Sequence, residues 1–323
     1  LRSTVPVGTT RGKVRAILER TSNQIAGRDF YLAFTPERTV EGMAMQELTT
    51  LPQIVGGLTN ACAEKATAFW QTLTDGVVRV DSLEASELVK LVNNGFRDVS
   101  FAFSNGLALL ADNFNLDAGR IIAAANEGYP RNTIPKPSPG VGGYCLSKDP
   151  YILSNDLENK KLNSSLIKLS RKTNESIIPY VYLKVKNNLK KIKKEINTSK
   201  IFIIGIAFKG NPETSDVRNS SSIELIKKLK TKKNKIFVYD PYSTFNINLF
   251  KKLKVKNTSL KDGFNNADAV IIMTNNKSFN ELTHQKYLNS MNKPSIFLDA
   301  WHIFDPIELK QFKGINYYGL GND

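Results

Sequence analysis

The chain has 323 residues, 41% of them apolar, and a formal net charge of +15. This length predicts two or three domains with real cores, and no run of 18 apolar residues is present, which excludes a membrane-spanning helix. Residues 1–150 are balanced in charge, and the whole excess lies in residues 151–323 as scattered lysines. Because an arginine-rich stripe with interleaved aromatic residues is lacking, we expect no nucleic-acid binding.

The cysteines and histidines are few. Cys62 and Cys145 cannot make a disulfide framework, and together with the absence of a secretion signal they favour a reducing, cytoplasmic location. His284 and His302 show no metal-ligand spacing, so we expect no metal site and regard both as surface or packing residues. The chain opens at Leu1 inside a strand-end and turn pattern, and we expect that the true N-terminus is missing.

Residues 1–82 alternate between strand and helix patterns, which is typical of a parallel α/β sheet. Compact apolar runs predict strands at 30–35, 53–57 and 76–81, and helical spacing predicts helices at 9–21 and 61–73. A polar loop is expected at 36–42.

A helix of about 30 residues is predicted at 83–113. It is apolar on almost all sides, which indicates burial in a core or in a subunit interface. Glu87, Lys90 and Asn94 are spaced i, i+3, i+7 and therefore share one face. This polar stripe is either a solvated face with a helix salt bridge or a line of groups that faces a ligand.

A second α/β pattern follows a helix at 116–127, a loop at 128–150 and a Lys-rich helix at 164–196. Strands are predicted at 200–208, 235–239, 269–274, 295–300 and 316–318, with a helix at 220–229. Strands alternating with helices predict a doubly wound parallel sheet. Neither α/β region contains the Gly-x-Gly-x-x-Gly fingerprint of dinucleotide-binding folds.

Cys145 lies in a loop whose composition suits covalent catalysis. The glycines before it let the backbone turn sharply and approach a ligand. Lys148 supplies an ammonium that favours thiolate over thiol, and Asp149 supplies a carboxylate that could act as a base or orient one. The alternative is a buried, inert cysteine beside a structural turn.

Five segments together resemble the UDP-glucose/GDP-mannose dehydrogenase family, and they occur in the family's order across the whole chain. They are Ser3-Thr-Val-Pro6, Pro36-Glu-Arg38 with Glu41-Gly42, Glu87-Leu-Val-Lys-Leu-Val-Asn-Asn94, Gly140-Val-Gly-Gly-Tyr-Cys-Leu-Ser-Lys-Asp-Pro150, and Ala207-Phe-Lys-Gly210 with Asp216 and Arg218. Pro130-Arg131 before a proline-rich loop and the Gly-Val-Gly-Gly-x-Cys run are similar to the branch that oxidises UDP-N-acetyl sugars such as UDP-N-acetylmannosamine. UDP-glucose is the alternative substrate.

The resemblance implies an α/β fold in three domains. Residues 1–82 are expected to be the remnant of an N-terminal NAD-binding Rossmann domain, and residues 83–196 a central helical dimerisation domain with the Cys145 loop and a connecting helix. Residues 197–323 are expected to form a C-terminal Rossmann-like domain that binds a UDP-sugar. The resemblance also implies that the cofactor is NAD, that the protein forms a homodimer through the central helix, and that its product is used in surface polysaccharide synthesis. The fragment alone is expected to be inactive.

The resemblance also assigns site residues. The catalytic set is Thr4, Glu37, Lys90, Asn94, Cys145 and Asp149. The cofactor contacts are Ser3, Thr4, Glu41, Lys148 and Arg218. The substrate contacts are Glu37, Arg38, Lys90, Asn94, Arg131, Lys136, Gly140, Gly142, Phe208 and Lys209. Cys145 is the nucleophile of a four-electron oxidation at the sugar C6 hydroxyl, through a thiohemiacetal and a thioester.

Two departures from the family pattern fall near the cysteine. Ser147 stands where the family often has proline, and Tyr144 stands where it often has histidine, asparagine or serine. Lys209 and Arg218 are nine residues apart instead of seven, which weakens the assignment of Arg218. The alternative to an enzyme is a short homologue that binds a sugar nucleotide, or dimerises with a full-length partner, without catalysis.

Overall fold

The computed structural model describes residues 1–74, 76–131, 133–242, 247–282 and 285–322. Its helices are α1 (Arg15–Ser22), α2 (Ala44–Thr50), α3 (Asn60–Trp70), α4 (Leu83–Asn113), α5 (Ala118–Asn126), α6 (Asp149–Asn159), α7 (Ser165–Lys191), α8 (Ser221–Leu229), α9 (Ile247–Leu253), α10 (Leu260–Phe264), α11 (Gln285–Asn289) and α12 (Pro306–Lys310). A π-helical turn at Thr10–Val14 precedes α1, and a 3-10 helix spans Lys277–Glu281.

The strands are β1 (Ala33–Phe34), β2 (Gln53–Gly57), β3 (Val77–Arg79), β4 (Lys200–Ile204), β5 (Lys235–Tyr239), β6 (Lys256–Asn257), β7 (Ala269–Ile272), β8 (Ser295–Asp299) and β9 (Ile315–Gly319). The chain divides into two compact units. The first unit is Leu1–Arg97 with Lys148–Lys168, and the second unit is Asp98–Ser147 with Leu169–Asp323.

The first unit contains a three-stranded sheet in the order β1-β2-β3. β2 and β3 run parallel, with Gln53 opposite Val77. A side chain at Gly56 would place its Cβ 2.2 Å from the Ser82 carbonyl oxygen, so only glycine lets β2 lie this close to the start of α4. Thr59 caps α3 by accepting a hydrogen bond from the Cys62 N–H, which fixes the crossover from β2 to β3.

The predicted parallel pairing of residues 1–82 is confirmed for β2 with β3 and wrong for β1, which runs antiparallel to β2. The strand predicted at 30–35 is only two residues long, and the Thr35 N–H that follows it donates to the Leu1 carbonyl oxygen at 2.9 Å instead of to β2. α2 was not predicted. Its sequence offers no apolar stripe, and none of its residues is buried.

α4 has the predicted bounds, but its apolar surface is only partly covered. Leu91 and Ala108 are buried. The exposed apolar side chains repeat at intervals of four and seven residues and so share one face; they are Leu88, Val92, Phe96, Phe103 and Leu110. An apolar face of this kind is typical of an interaction surface.

The second unit contains a six-stranded, fully parallel sheet in the order β6-β5-β4-β7-β8-β9. Counted along the chain, this is the order 3-2-1-4-5-6 of the doubly wound nucleotide-binding folds, so the predicted fold class is confirmed. Along β4, Ile201 and Ile203 join one buried apolar cluster and Phe202 and Ile204 join another. Both faces of the sheet are therefore covered, as parallel sheets require.

The strand order reverses between β4 and β7, and ligands bind such folds at the carboxyl ends of the strands at this point. Gly205 follows β4 with φ +88°, and a Cβ there would lie 1.9 Å from Thr274 Oγ1. The Gly210 N–H donates to Asn275 Oδ1 at 3.1 Å. The segment 205–210 is therefore held at the reversal point by the loop that follows β7.

Candidate functional site

Asp149 is the centre of a buried polar cluster in the first unit. It lies in the first turn of α6, where Pro150 fits because its missing N–H needs no partner there. Its carboxylate is fully buried. Oδ2 accepts from Asn94 Nδ2 at 2.6 Å and Oδ1 from Lys148 Nζ at 2.5 Å. The structure thus brings together three predicted site residues, and the Lys148 ammonium compensates the charge of Asp149.

A cavity of about 280 Å³ lies beside this cluster. Lys90 and Asn94 contribute to its wall, as does Arg38, which was predicted to contact substrate. The remaining lining residues are Leu51, Asn93, Phe96 and Arg97. Three cationic side chains on one cavity wall suit a ligand that carries negative charge or many oxygen atoms.

Glu87, the third member of the predicted polar stripe, has a different task. It is buried and accepts hydrogen bonds from the Gly8 N–H at 2.6 Å, the Thr10 N–H at 2.8 Å and Thr10 Oγ1 at 2.6 Å. A carboxylate at the start of a helix satisfies N–H groups that have no intrahelical partner. Glu87 therefore anchors the N-terminal turn, while Lys90 and Asn94 face the cavity.

Glu37 lies next to the segment that carries Thr4. The Glu37 N–H donates to the Arg2 carbonyl oxygen at 3.2 Å. The Glu37 carboxylate accepts from Arg2 Nη2 at 2.6 Å and from the Thr39 N–H at 2.8 Å. Partial burial pushes the pKa of Glu37 upward, but these hydrogen bonds outweigh it and hold the pKa below its ordinary value. Thr4 is half-buried, two residues beyond Arg2.

The other predicted cofactor contacts of the first unit are less enclosed. Ser3 is exposed. Glu41 is exposed in the turn that precedes α2. Both side chains are hydrogen-bonding groups at the protein surface.

In the second unit, Cys145 is an exposed free thiol on a loop with a fixed backbone. Gly143 has φ +86°, and a Cβ there would lie 2.7 Å from Phe208 Cδ2, so the position requires glycine. Ser147 Oγ donates to the Gly143 carbonyl at 2.7 Å and accepts from Asn219 Nδ2 at 2.9 Å. These bonds tie Ser147 to Gly143, two residues before Cys145, and to Asn219.

Phe208 and Arg218 lie against the same loop, and Lys209 lies beside Phe208. The Lys209 ammonium lies 5.5 Å from the centre of the Phe208 ring, and the Arg218 guanidinium lies 5.3 Å from the centre of the Tyr144 ring, within the range of cation–π contacts. Arg218 also forms a bidentate pair with Asp216, with Nη2–Oδ2 at 2.7 Å. The structure therefore places Arg218 against the cysteine loop in spite of its changed spacing from Lys209.

The predicted substrate contacts at 131–142 take part in several local interactions. The Arg131 guanidinium lies 4.9 Å from the centre of the Tyr129 ring. Lys136 Nζ donates to the His302 carbonyl at 3.0 Å. Gly140 has φ +86°, and a Cβ at Gly142 would lie 2.5 Å from the Asn219 carbonyl oxygen. Arg131 and Lys136 are exposed cations, whereas the two glycines set the path of the loop.

Three family models match this chain. The NAD binding domain of the UDP-glucose/GDP-mannose dehydrogenase family matches residues 1–74, its central domain residues 84–176 and its UDP binding domain residues 202–306. A UDP-N-acetyl-D-mannosamine dehydrogenase from Pyrococcus horikoshii is 32% identical over 303 residues, covering 94% of this chain and 68% of the relative. The chain belongs to the UDP-glucose/GDP-mannose dehydrogenase family.

Further relatives agree with this membership. The UDP-N-acetyl-D-mannosamine dehydrogenase of Campylobacter jejuni is 32% identical over 297 residues, covering 90% of this chain and 70% of the relative. The solved P. horikoshii enzyme superposes with a TM-score of 0.85 at 31% identity, covering 99% of this chain and 71% of that one. An NDP-N-acetyl-D-galactosaminuronic acid dehydrogenase from Methanosarcina mazei gives 0.87 at 27% identity, covering 100% and 69%.

As a member of this family, the protein is an NAD-dependent nucleotide-sugar dehydrogenase, and its UDP-binding domain supports a UDP-sugar as substrate. Among the residues of the first unit that were predicted to contact NAD, Ser3 and Thr4 carry hydroxyls and Glu41 carries a carboxylate, and such groups can form hydrogen bonds with ribose hydroxyls. Within the described part of the chain, no helix is both long and apolar enough to cross a membrane.

Two side chains that hold the cysteine loop were not predicted as site residues. Arg171 contacts the loop backbone, and Asp98 pairs with Arg171. A signal for Arg171 was present, because it is one of two arginines in a region that otherwise uses lysine. No local pattern distinguishes Asp98, whose partner lies 73 residues away.

Proposed function

We propose that this protein oxidises the C6 hydroxyl of UDP-N-acetylmannosamine to the uronic acid, as a precursor for a surface polysaccharide. The observation that carries the proposal is the buried Asn94–Asp149–Lys148 cluster beside a cavity lined by Lys90, combined with the exposed thiol of Cys145 four residues before Asp149. The substrate follows the relatives, which act on this UDP-sugar by name.

The first oxidation converts the alcohol into an aldehyde, as the C6 carbon loses a hydride and the C6 hydroxyl loses its proton to water. The Lys90 ammonium stabilises negative charge on the C6 oxygen, and Asn94 supports it with a hydrogen bond. NAD, when bound, accepts one hydride in each of the two oxidations. An aldehyde carbon cannot lose a second hydride until it has gained a nucleophile, which explains the need for a second type of catalytic group.

Cys145 supplies that nucleophile. Its thiolate forms a C–S bond to the aldehyde carbon, and the carbonyl oxygen takes up a proton to give a thiohemiacetal. Loss of hydride from that carbon, with loss of the hydroxyl proton, leaves a thioester. A water oriented by Thr4, Glu37 and Asp149 then adds to the thioester carbon, the C–S bond breaks, and the thiol and the uronic acid separate.

The remaining predicted residues receive binding roles. Ser3, Glu41, Lys148 and Arg218 contact NAD. The UDP-sugar is contacted by Arg38, Arg131, Lys136, Gly140, Gly142, Phe208 and Lys209. We also propose a homodimer through the exposed apolar face of α4, because that face would otherwise expose Phe96 and Phe103 to water.

The test follows NADH formation at 340 nm, with the protein expressed together with any coding sequence that precedes Leu1. UDP-N-acetylmannosamine should yield two NADH per sugar, and Cys145→Ser should lose the second. Two NADH from UDP-glucose alone would make it a UDP-glucose dehydrogenase. Tight binding of UDP-sugars without NADH formation would overturn the enzymatic proposal in favour of a non-catalytic homologue.

A further inference from the structure

We propose that Arg171 is a positioning residue for Cys145. Its guanidinium, oriented by Asp98, donates hydrogen bonds to the backbone carbonyls of Val141 and Leu146, which lie on either side of Cys145 in the loop. This inference rests on the proposed role of Cys145 as nucleophile. It adds a group that never touches the substrate but decides where the thiol lies.

Arg171 is the anchor of the loop. Its side chain is only 2% exposed, on α7. Nη1 donates to Asp98 Oδ1 at 2.6 Å and to the Leu146 carbonyl at 2.8 Å, and Nη2 donates to the Val141 carbonyl at 3.4 Å. One planar guanidinium therefore fixes both ends of the segment that carries Cys145.

Asp98 is itself held by a chain of amides. Asn174 Nδ2 donates to Asp98 Oδ1 at 2.8 Å and to its carbonyl oxygen at 2.9 Å. Asn174 Oδ1 accepts from Asn105 Nδ2 at 2.9 Å, and Asn105 Oδ1 accepts from the Ser138 N–H at 2.9 Å. The network thus returns to the loop upstream of Val141, so the backbone is held at three points.

An arginine at position 171 is better explained by the positioning of the loop than by a contribution to the stability of the fold. Of the 30 basic residues at 151–323, 28 are lysine, yet this position has arginine, whose rigid fork can bind an acid and two carbonyls at once. Burial raises the pKa of Asp98 to about 6 although Arg171 and Asn174 oppose the shift. A buried ion pair with such a desolvation cost is weak evidence for stability, and its geometry is better explained by the loop that it holds.

The consequence is specific to one step. A nucleophile must lie about 3–3.5 Å from the atom it attacks, and a misplacement of about 1 Å can cost on the order of 100-fold in rate. Oxidation of the alcohol does not use Cys145 in the proposed mechanism, whereas oxidation of the aldehyde does. At a saturating concentration of UDP-sugar, loss of Arg171 should therefore slow the second oxidation selectively, whereas a shift of the proposed substrate contacts Gly140 and Gly142, which flank Val141, should appear in the Kd of the UDP-sugar.

The chain offers a matched control on the same two helices. Lys184 of α7 pairs with Asp112 of α4 through Nζ–Oδ1 and Nζ–Oδ2 distances of 2.9 and 2.7 Å, and its side chain is only 4% exposed. Lys184→Met removes a buried cation and leaves a carboxylate behind, as Arg171→Met does. Lys184 lies about 20 Å beyond Arg171 along α7, and its ammonium contacts Asp112 and Tyr180, which are outside the cysteine loop.

The experiment compares Arg171→Met, Arg171→Lys and Lys184→Met in the protein expressed together with any coding sequence that precedes Leu1. Single-turnover NADH formation is measured from the UDP-sugar alcohol and, separately, from the UDP-sugar 6-aldehyde, together with the Kd of the UDP-sugar and the thermal midpoint. Arg171→Met should slow aldehyde oxidation by on the order of 100-fold and alcohol oxidation by less than about threefold, and Arg171→Lys should recover part of the loss. Lys184→Met should leave the ratio of the two rates as in the wild type.

Two outcomes would overturn the inference: an unchanged ratio in both Arg171 variants, or the same change in ratio in Lys184→Met. If Arg171→Met does not fold, the ratio in Arg171→Lys decides, because lysine retains the charge but cannot bind both carbonyls. Cys145→Ser, measured alongside, separates the two proposals. Normal aldehyde oxidation in that variant contradicts the role of Cys145, whereas its loss together with an unchanged ratio in the Arg171 variants contradicts only the role of Arg171.

Discussion

The two units hold their proposed catalytic groups in opposite ways. In the first unit, Asp149 is buried, and its carboxylate oxygens accept hydrogen bonds directly from Asn94 and Lys148. In the second unit, the Cys145 side chain is exposed, and only the backbone around it is fixed, by Arg171 and by the contact of Gly143 with Phe208. A group that orients water or moves a proton needs its charge compensated, whereas a nucleophile needs an accessible atom on a rigid support.

The largest expected effect, on kcat, comes from removing the negative charge of Asp149. Asp149→Asn would keep an oxygen that can accept from one of the two donors, Asn94 or Lys148, but would place an NH2 group against the other. If Asp149 orients the hydrolytic water or acts as base, kcat should fall by roughly 10²–10⁴-fold with little change in KM. The thioester on Cys145 should then accumulate, which mass spectrometry of the quenched enzyme would detect.

Asp156 provides the control, because it lies on the same helix and accepts a hydrogen bond from the Val7 N–H at 2.9 Å. Asp156→Asn should keep kcat within about threefold, since one exposed hydrogen bond is worth on the order of 1 kcal/mol. Equal losses in the two variants would mean that α6, and not the Asp149 carboxylate, matters.

The reactivity of Cys145 should depend on the backbone conformation of its loop. Gly143→Ala would force alanine into φ +86° and push its Cβ to within 2.7 Å of Phe208. The left-handed conformation alone costs roughly 1–2 kcal/mol. We expect a similar loss in the free energy of unfolding, and a fall of roughly tenfold in aldehyde oxidation because the loop must shift.

Gly128→Ala separates strain from displacement. Gly128 has φ +60°, but a Cβ there would meet nothing within 4 Å. This variant should lose about the same stability without the loss of aldehyde oxidation. A rate loss in Gly128→Ala as large as in Gly143→Ala would show that the contact with Phe208 does not position the cysteine.

Parts of the fold could be predicted where the apolar pattern of a segment and its length indicate the same type of element. β2, α4 and β5 have the predicted bounds, because each is a dense apolar run that ends at a turn signal. α6 was missed, since its start at Asp149-Pro150 lies in a segment rich in proline and glycine that indicated a loop. The antiparallel direction of β1 could not be predicted, because two residues carry no periodicity and only the partner strand sets the direction.

The site shows the same limit. That Lys90 and Asn94 share a face followed from helical spacing, and both line one cavity. The spacing also placed Glu87 on that face, but its partners Gly8 and Thr10 lie 79 and 77 residues away. The same applies to Arg171 and Leu146, which are 25 residues apart. Such contacts depend on tertiary packing, so composition can suggest these residues but cannot pair them.

The smallest expected effect is the pH dependence of two carboxylates, one in each unit, whose pKa values are shifted in opposite directions. Glu37 receives hydrogen bonds from Arg2 and Thr39 and has a pKa below its ordinary value. It therefore stabilises the fold above its unfolded pKa, and this contribution is lost as the pH falls through its folded pKa. Because Glu37 is partly exposed, the contribution should not exceed about 1 kcal/mol.

Asp98 should behave in the opposite way. Burial raises its pKa to about 6 against the opposing effects of Arg171 and Asn174, and the nearby Glu175 raises it further. Its folded state thus binds a proton more tightly than the unfolded chain, so its contribution to stability is present at low pH and is lost as the pH rises through about 6. Urea unfolding of the wild type, Glu37→Gln and Asp98→Asn between pH 3.5 and 7 would test both signs. As the pH rises, the wild type should gain stability relative to Glu37→Gln and lose it relative to Asp98→Asn, and the same sign for both differences would contradict the opposite directions of the two pKa shifts.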